Sequence, residues 1–94
     1  MKIKDLFESQ SQIEITNEIK KSAAAIVYLL ETFDIISSAR GWQAAETIGI
    51  SLITEVETRL WYYKMLASTN KMQIEYNKLL QLIEKLRNKI KSGV

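Results

Sequence analysis

Met72-Gln73-Ile74-Glu75-Tyr76-Asn77-Lys78-Leu79-Leu80-Gln81-Leu82-Ile83-Glu84-Lys85-Leu86-Arg87-Asn88-Lys89-Ile90 is the stretch whose reading decides the fold. Met72, Tyr76, Leu79, Ile83, Leu86 and Ile90 follow one another in steps of 4-3-4-3-4, which places all six on one stripe of an α-helix. Such a stripe has to be covered by another helix, in the same chain or in a partner. The predicted helix runs from Lys71 to about Lys91. Lys89 and Lys91 in its last turn suit the negative end of the helix dipole. Ser92-Gly93-Val94 is expected to fray.

Upstream, the phase of the apolar pattern changes. A second stripe reads Ala45, Ile48, Leu52, Val56, Leu60, Tyr63 and Ala67, at about 3.67 residues per step. Continued past Ala67 it would reach Lys71 and Ile74, yet the apolar positions restart at Met72. A five-residue step rotates the apolar face by roughly 140°, so a break is expected around Ser68-Thr69-Asn70, with Asn70 and Gln73 as a capping box. The middle helix is predicted from about Trp42 to Ala67. Gly49 borders its stripe and would permit a close helix approach. The β-branched run Ile48–Thr54 is the one stretch that could read as a strand, and its flanks are helical.

The first helix is expected from Ser11, which forms a capping-box pattern with Glu14, to about Ser38. Its stripe reads Ile15, Ile19, Ala23, Ile26, Leu30 and Phe33. Residues 1–10 are read as a lead-in. Gly41 is the natural terminator, because glycine accepts a left-handed backbone at no steric cost.

Composition agrees with this pattern. The chain has 94 residues, no proline and three glycines, so helix breakers are scarce. The expected architecture is an all-α single domain over residues 1–94, with two or three long antiparallel helices in a bundle. Dimerisation is expected to complete so small a core. Cysteine and histidine are both absent. Thiolate chemistry, Cys-ligated metals, histidine general bases and Ser-His-Asp triads are therefore excluded. Neither a metal nor a cofactor is expected, and no residue is assigned a catalytic role. Glu14 with Glu18, and Glu31 with Asp34, share helix faces as solvated charge.

An apolar run, Ala23-Ala24-Ala25-Ile26-Val27-Tyr28-Leu29-Leu30, circles its helix twice. It is too short to span a bilayer, which needs about 20 residues. No signal-peptide pattern is seen at the start, and a cytoplasmic protein without a membrane span is expected, leaderless secretion being an alternative. Ala25, Ile26, Leu29, Leu30 and Phe33 are assigned to a self-association interface. Trp61 and Tyr62 precede Tyr63, which lies on the stripe; three successive residues cannot all enter one core, so Trp61 or Tyr62 must stand partly outside it, and both are assigned to a protein partner.

Charge is uneven. Residues 71–94 carry six basic and two acidic side chains, against a net charge of +2 for the whole chain. Lys71, Lys78, Lys85, Arg87 and Lys89 are candidate nucleic-acid contacts. Lysine predominates over arginine, which suits a solvated face better than bidentate recognition.

Arg40-Gly41-Trp42-Gln43-Ala44 sits at the expected hairpin. In length, scarcity of breakers and a tryptophan at the turn, the chain resembles the WXG100 family of helical-hairpin proteins exported by type VII secretion. That resemblance implies a dimeric four-helix bundle. The motif departs from the family, because glycine precedes the tryptophan and position 44 is alanine. An enzyme of the small helical chorismate mutase kind would need clustered arginines and lysines, for which Arg59 with Lys64 is the nearest arrangement. The function expected from the residues is non-enzymatic. It is a helical interaction or assembly module, acting as a homodimer that binds another protein, of the kind found among phage and mobile-element inhibitors. A nucleic-acid-binding helical dimer and a WXG100-like secreted protein are the alternatives.

Overall fold

The computed structural model describes residues 3–92, with side chains from residue 13 onward. It is an all-α bundle of three helices that pack pairwise against one another: α1 (Ile3–Arg40), α2 (Trp42–Leu66) and α3 (Asn70–Ser92). No strand occurs among the described residues, and the β-branched run 48–54 is helical. The molecule is a rod of 55 × 18 × 18 Å. Asp34 on α1 pairs with Lys89 near one end, while Thr16 on α1 and Met72 on α3 line one groove at the other. α3 therefore runs parallel to α1, and α2 is antiparallel to both.

The helix α1 begins earlier than the sequence pattern suggested. Residues 3–10 are helical, so Ser11 lies inside a helix and is not its N-cap. A capping box needs a non-helical first residue, and nothing from Ile3 to Gln10 breaks the helix. Met1, Lys2, Gly93 and Val94 lie outside the described residues, and with them most of the expected frayed tail.

All six members of the α3 stripe join the core. Met72, Leu79, Ile83 and Leu86 are buried, and Tyr76 and Ile90 pack against them. The inner face of α1 is also a heptad, but one rotated from the expected stripe: Ile15, Ile19, Ser22, Ile26, Leu29 and Phe33 are buried. Ser22 replaces Ala23 and Leu29 replaces Leu30. On α2 the buried set is Ala45, Gly49, Ile53, Val56 and Tyr63, whereas Ile48 is exposed. Gly49 occupies the inner position because a third helix comes close there. A Cβ at Gly49 would lie 2.8 Å from Ile90 Cδ1 and 3.8 Å from Phe33 Cε2.

A single residue links α1 to α2. The Gly41 N–H donates to the Ser37 carbonyl at 2.8 Å, and its own carbonyl accepts from Ala45 at 3.3 Å. Gly41 thus ends one helix and begins the next, at φ 94° and ψ 157°. Positive φ with extended ψ is a region essentially reserved for glycine. Trp42 closes this end of the bundle with its ring edge on Phe33, centroids 5.0 Å apart, and donates from Nε1 to Glu46 at 3.0 Å.

The α2–α3 break falls where the phase change places it. Its cap is Thr69 and not Asn70: Thr69 Oγ1 accepts from the Met72 N–H at 3.2 Å, and its carbonyl accepts from Gln73. The Gln73 amide reaches back 3.4 Å to the Ala67 carbonyl, which satisfies an end group of α2.

Candidate functional site

Between α1 and α2 lies a cleft of about 470 Å³. Ser22 and Ala25 form its α1 wall, with Glu18 and Lys21 at the rim. Leu52, Val56 and Tyr63 line the α2 side, and Glu55 and Arg59 edge it. Its floor is polar: Ser22 Oγ and Tyr63 OH lie 3.4 Å apart, both buried. Arg59 donates to Glu55 at 3.3 Å along α2. The rim carries two cations and two anions, so it presents no net charge to a ligand. No side-chain polar atom buried in the described structure lacks a hydrogen-bond partner.

Arg59 therefore shares a cleft with Lys21. Lys64, the residue the enzyme reading paired with it, lines a separate groove with Gln73 and Tyr76. No group of three or more His, Cys, Asp or Glu side chains comes together among the described residues. Of the paired carboxylates, Asp34 is engaged by Lys89 at 3.1 Å.

The expected self-association set divides by burial within the protomer. Ile26, Leu29 and Phe33 face the interior of the chain's own bundle in the protomer. They belong to the one core that all three helices share, which the local pattern could not register. Leu30 is half-buried. Ala25 alone of the five is exposed, beside the cleft.

Trp61 and Tyr62 are exposed at 63% and 43%, their ring centroids 6.1 Å apart in an edge contact. They straddle the outer face of α2. Glu57, four residues before Trp61, pairs with Arg87 of α3, so Trp61 sits on the α3 shoulder. Arg59, three residues before Tyr62, lines the α1 cleft, so Tyr62 sits on the other shoulder. Met65, 73% exposed, extends the patch by one turn. The local pattern did not single out Met65, although its i+4 spacing from Trp61 is visible.

The basic residues of α3 divide. Lys71, Lys78 and Lys85 recur every seven residues, and Lys89 lies about 40° from Lys85 around the helix. Arg87 lies about 200° from Lys85 and is held by Glu57. Lys78 pairs with Glu75 at 3.7 Å, and Lys89 with Asp34. The five candidate nucleic-acid contacts thus do not form one surface, and three of them already have an anionic neighbour.

By length and composition, the stretch Ile13–Arg40 of α1 is long and apolar enough to cross a membrane. The eight-residue run understated this, because Glu31 and Asp34 are the only charged side chains in residues 22–39. Core helices of water-soluble bundles meet the same criterion, and here the inner stripe of that stretch packs on α2 and α3.

The chain matches no protein-family model, no curated protein and no solved structure.

Proposed function

We propose that this chain is a non-enzymatic helical interaction module, which acts as a homodimer and binds another protein through the outer face of α2. The observation that supports this reading is the pair Trp61 and Tyr62. Two large amphipathic rings stand side by side in solvent on a rigid helix, next to Met65. Buried aromatic anchors dominate binding energy at protein interfaces, and a helix face holds them at little conformational cost. The α1–α2 cleft carries two carboxylates and two cations at its rim and a Ser22–Tyr63 contact at its floor.

The test is co-purification of the tagged full chain from its own cells, comparing wild type with the Trp61→Ala/Tyr62→Ala variant. A stoichiometric protein partner retained at high salt and lost with the double variant, at unchanged melting temperature, is the expected result. Nucleic acid as the bound material, released steeply by salt with a slope of about −0.9 per phosphate contact, would replace this reading with the basic-helix one. Equal retention by both chains would remove Trp61 and Tyr62 from the interface.

A further inference from the structure

The helix α1 carries a second heptad on the face turned away from the core: Asn17, Lys21, Ala24, Tyr28, Glu31 and Ile35, again in steps of 4-3-4-3-4. All six are exposed, Tyr28 at 69% and Ile35 at 67%. Ala24, Tyr28 and Ile35 are the apolar or amphipathic members of this stripe, interleaved with Asn17, Lys21 and Glu31, and their 4-3 spacing is that of positions facing a second helix. Neither Lys21 nor Glu31 has an ion-pair partner among the described residues.

The order of residues along this stripe is self-complementary. Lay a second copy antiparallel on it, about a two-fold axis near position 26. Lys21 then faces Glu31 of the other copy, and Ala24 faces Tyr28, each twice. The small alanine leaves room for the large ring, and the opposite charges meet. Asn17 meets Ile35 at the two ends. Isologous contacts require this kind of reciprocity, in which residue i meets j and j meets i. A parallel pairing would instead set Lys21 on Lys21 and Glu31 on Glu31, like charge on like charge, which disfavours it.

We infer that a second copy of this chain docks antiparallel along the outer face of α1, with Tyr28 over the partner's Ala24 and Lys21 paired to the partner's Glu31. This rests on the homodimer part of the reading above and supplies its surface. The surface is distinct from the buried residues Ile26, Leu29 and Phe33, and from Trp61 and Tyr62 on α2.

Light scattering of the full chain across a dilution series tests it. Wild type is expected at twice 10.8 kDa. Tyr28→Ala, which removes a ring exposed in the protomer, is expected to weaken dimerisation roughly a hundredfold, because each dimer loses two copies. Lys21→Glu and Glu31→Lys should each weaken it roughly tenfold or more, while an equimolar mixture of the two re-forms dimers. In the mixture every pair is again of opposite sign. Because the chain has no cysteine, the register can be read directly. Under oxidation, Ala24→Cys should cross-link to Tyr28→Cys faster than either does to itself. A monomer at every concentration overturns the proposal, and so does a dimer indifferent to these changes. Loss of partner capture by Trp61→Ala with the dimer intact leaves it standing, so the two readings fail separately.

Discussion

Ser22 on α1 and Tyr63 on α2 meet hydroxyl to hydroxyl at 3.4 Å, 41 residues apart in the chain and both buried. This contact lets a serine occupy the inner heptad of α1. Without Tyr63, that hydroxyl would depend on the backbone of its own helix or on water in the cleft. At 3.4 Å the bond is long for two hydroxyls, which places its net worth at the low end, about 0.5 kcal/mol. Ser22→Ala and Tyr63→Phe, with the double variant, form a cycle measurable by urea unfolding. A coupling of about 0.5 kcal/mol is expected, and the double variant should lie close to wild type. Zero coupling would show that water serves both hydroxyls equally well.

Neighbouring positions on α1 should respond oppositely to truncation. Leu29 is buried, and Leu29→Ala should cost about 2–5 kcal/mol of unfolding free energy. Tyr28 projects into solvent, so in a dilute, monomeric sample Tyr28→Ala should change protomer stability by about 0.5 kcal/mol or less. Denaturant titration of both variants at low concentration is the check. Similar losses at the two positions would contradict the assignment of the inner heptad.

Gly49 separates size from propensity. Alanine there meets the far end of the Ile90 side chain, which can rotate away, and gains up to about 1 kcal/mol of helix propensity. Gly49→Ala should therefore lie within about 1 kcal/mol of wild type. Gly49→Leu must displace both Ile90 and Phe33 and should lose about 1–3 kcal/mol or more. Thermal melts of the two variants decide, and an equal effect would mean that the helices are not in close contact here.

The ion pairs Asp34–Lys89 and Glu57–Arg87 tie α3 to α1 and to α2. Both are well exposed, so each should contribute no more than about 1 kcal/mol and fade with salt. Asp34→Asn at low ionic strength should lower the melting temperature by a few degrees, and the difference should vanish at high salt. A loss that survives high salt would point to packing by the lysine stem.

How far the residues announce this molecule differs by helix. The α3 seam was legible in full, because its apolar and charged positions contrast sharply and the phase change at Met72 marks the break. The inner face of α1 was not, because residues 22–30 are apolar or small almost all round and no contrast points inward. Ser22 and Gly49 hid two core positions: one is polar and needs a partner 41 residues away, and the other has no side chain to count. That Trp61 or Tyr62 would stand partly outside the core followed from local geometry, since consecutive residues diverge by about 100° and Tyr63 lies on the stripe. The cleft at Arg59 depends on where α1 lies against α2, and no local pattern carries that information.

Gly41 also separates two topologies of the same sequence. Its φ of 94° folds α2 back along α1, and any L side chain there would strain the bend by about 1–3 kcal/mol. The same stretch with helical dihedrals at residue 41 would be one continuous helix over residues 3–66, roughly 95 Å long. Two such straightened chains could exchange their α2–α3 segments and rebuild every core contact between them as a domain-swapped dimer. A β-branched residue at 41 should push the chain that way. Small-angle scattering would then read a maximum dimension well beyond the 55 Å rod, whereas an unchanged rod would mean that packing absorbs the strain.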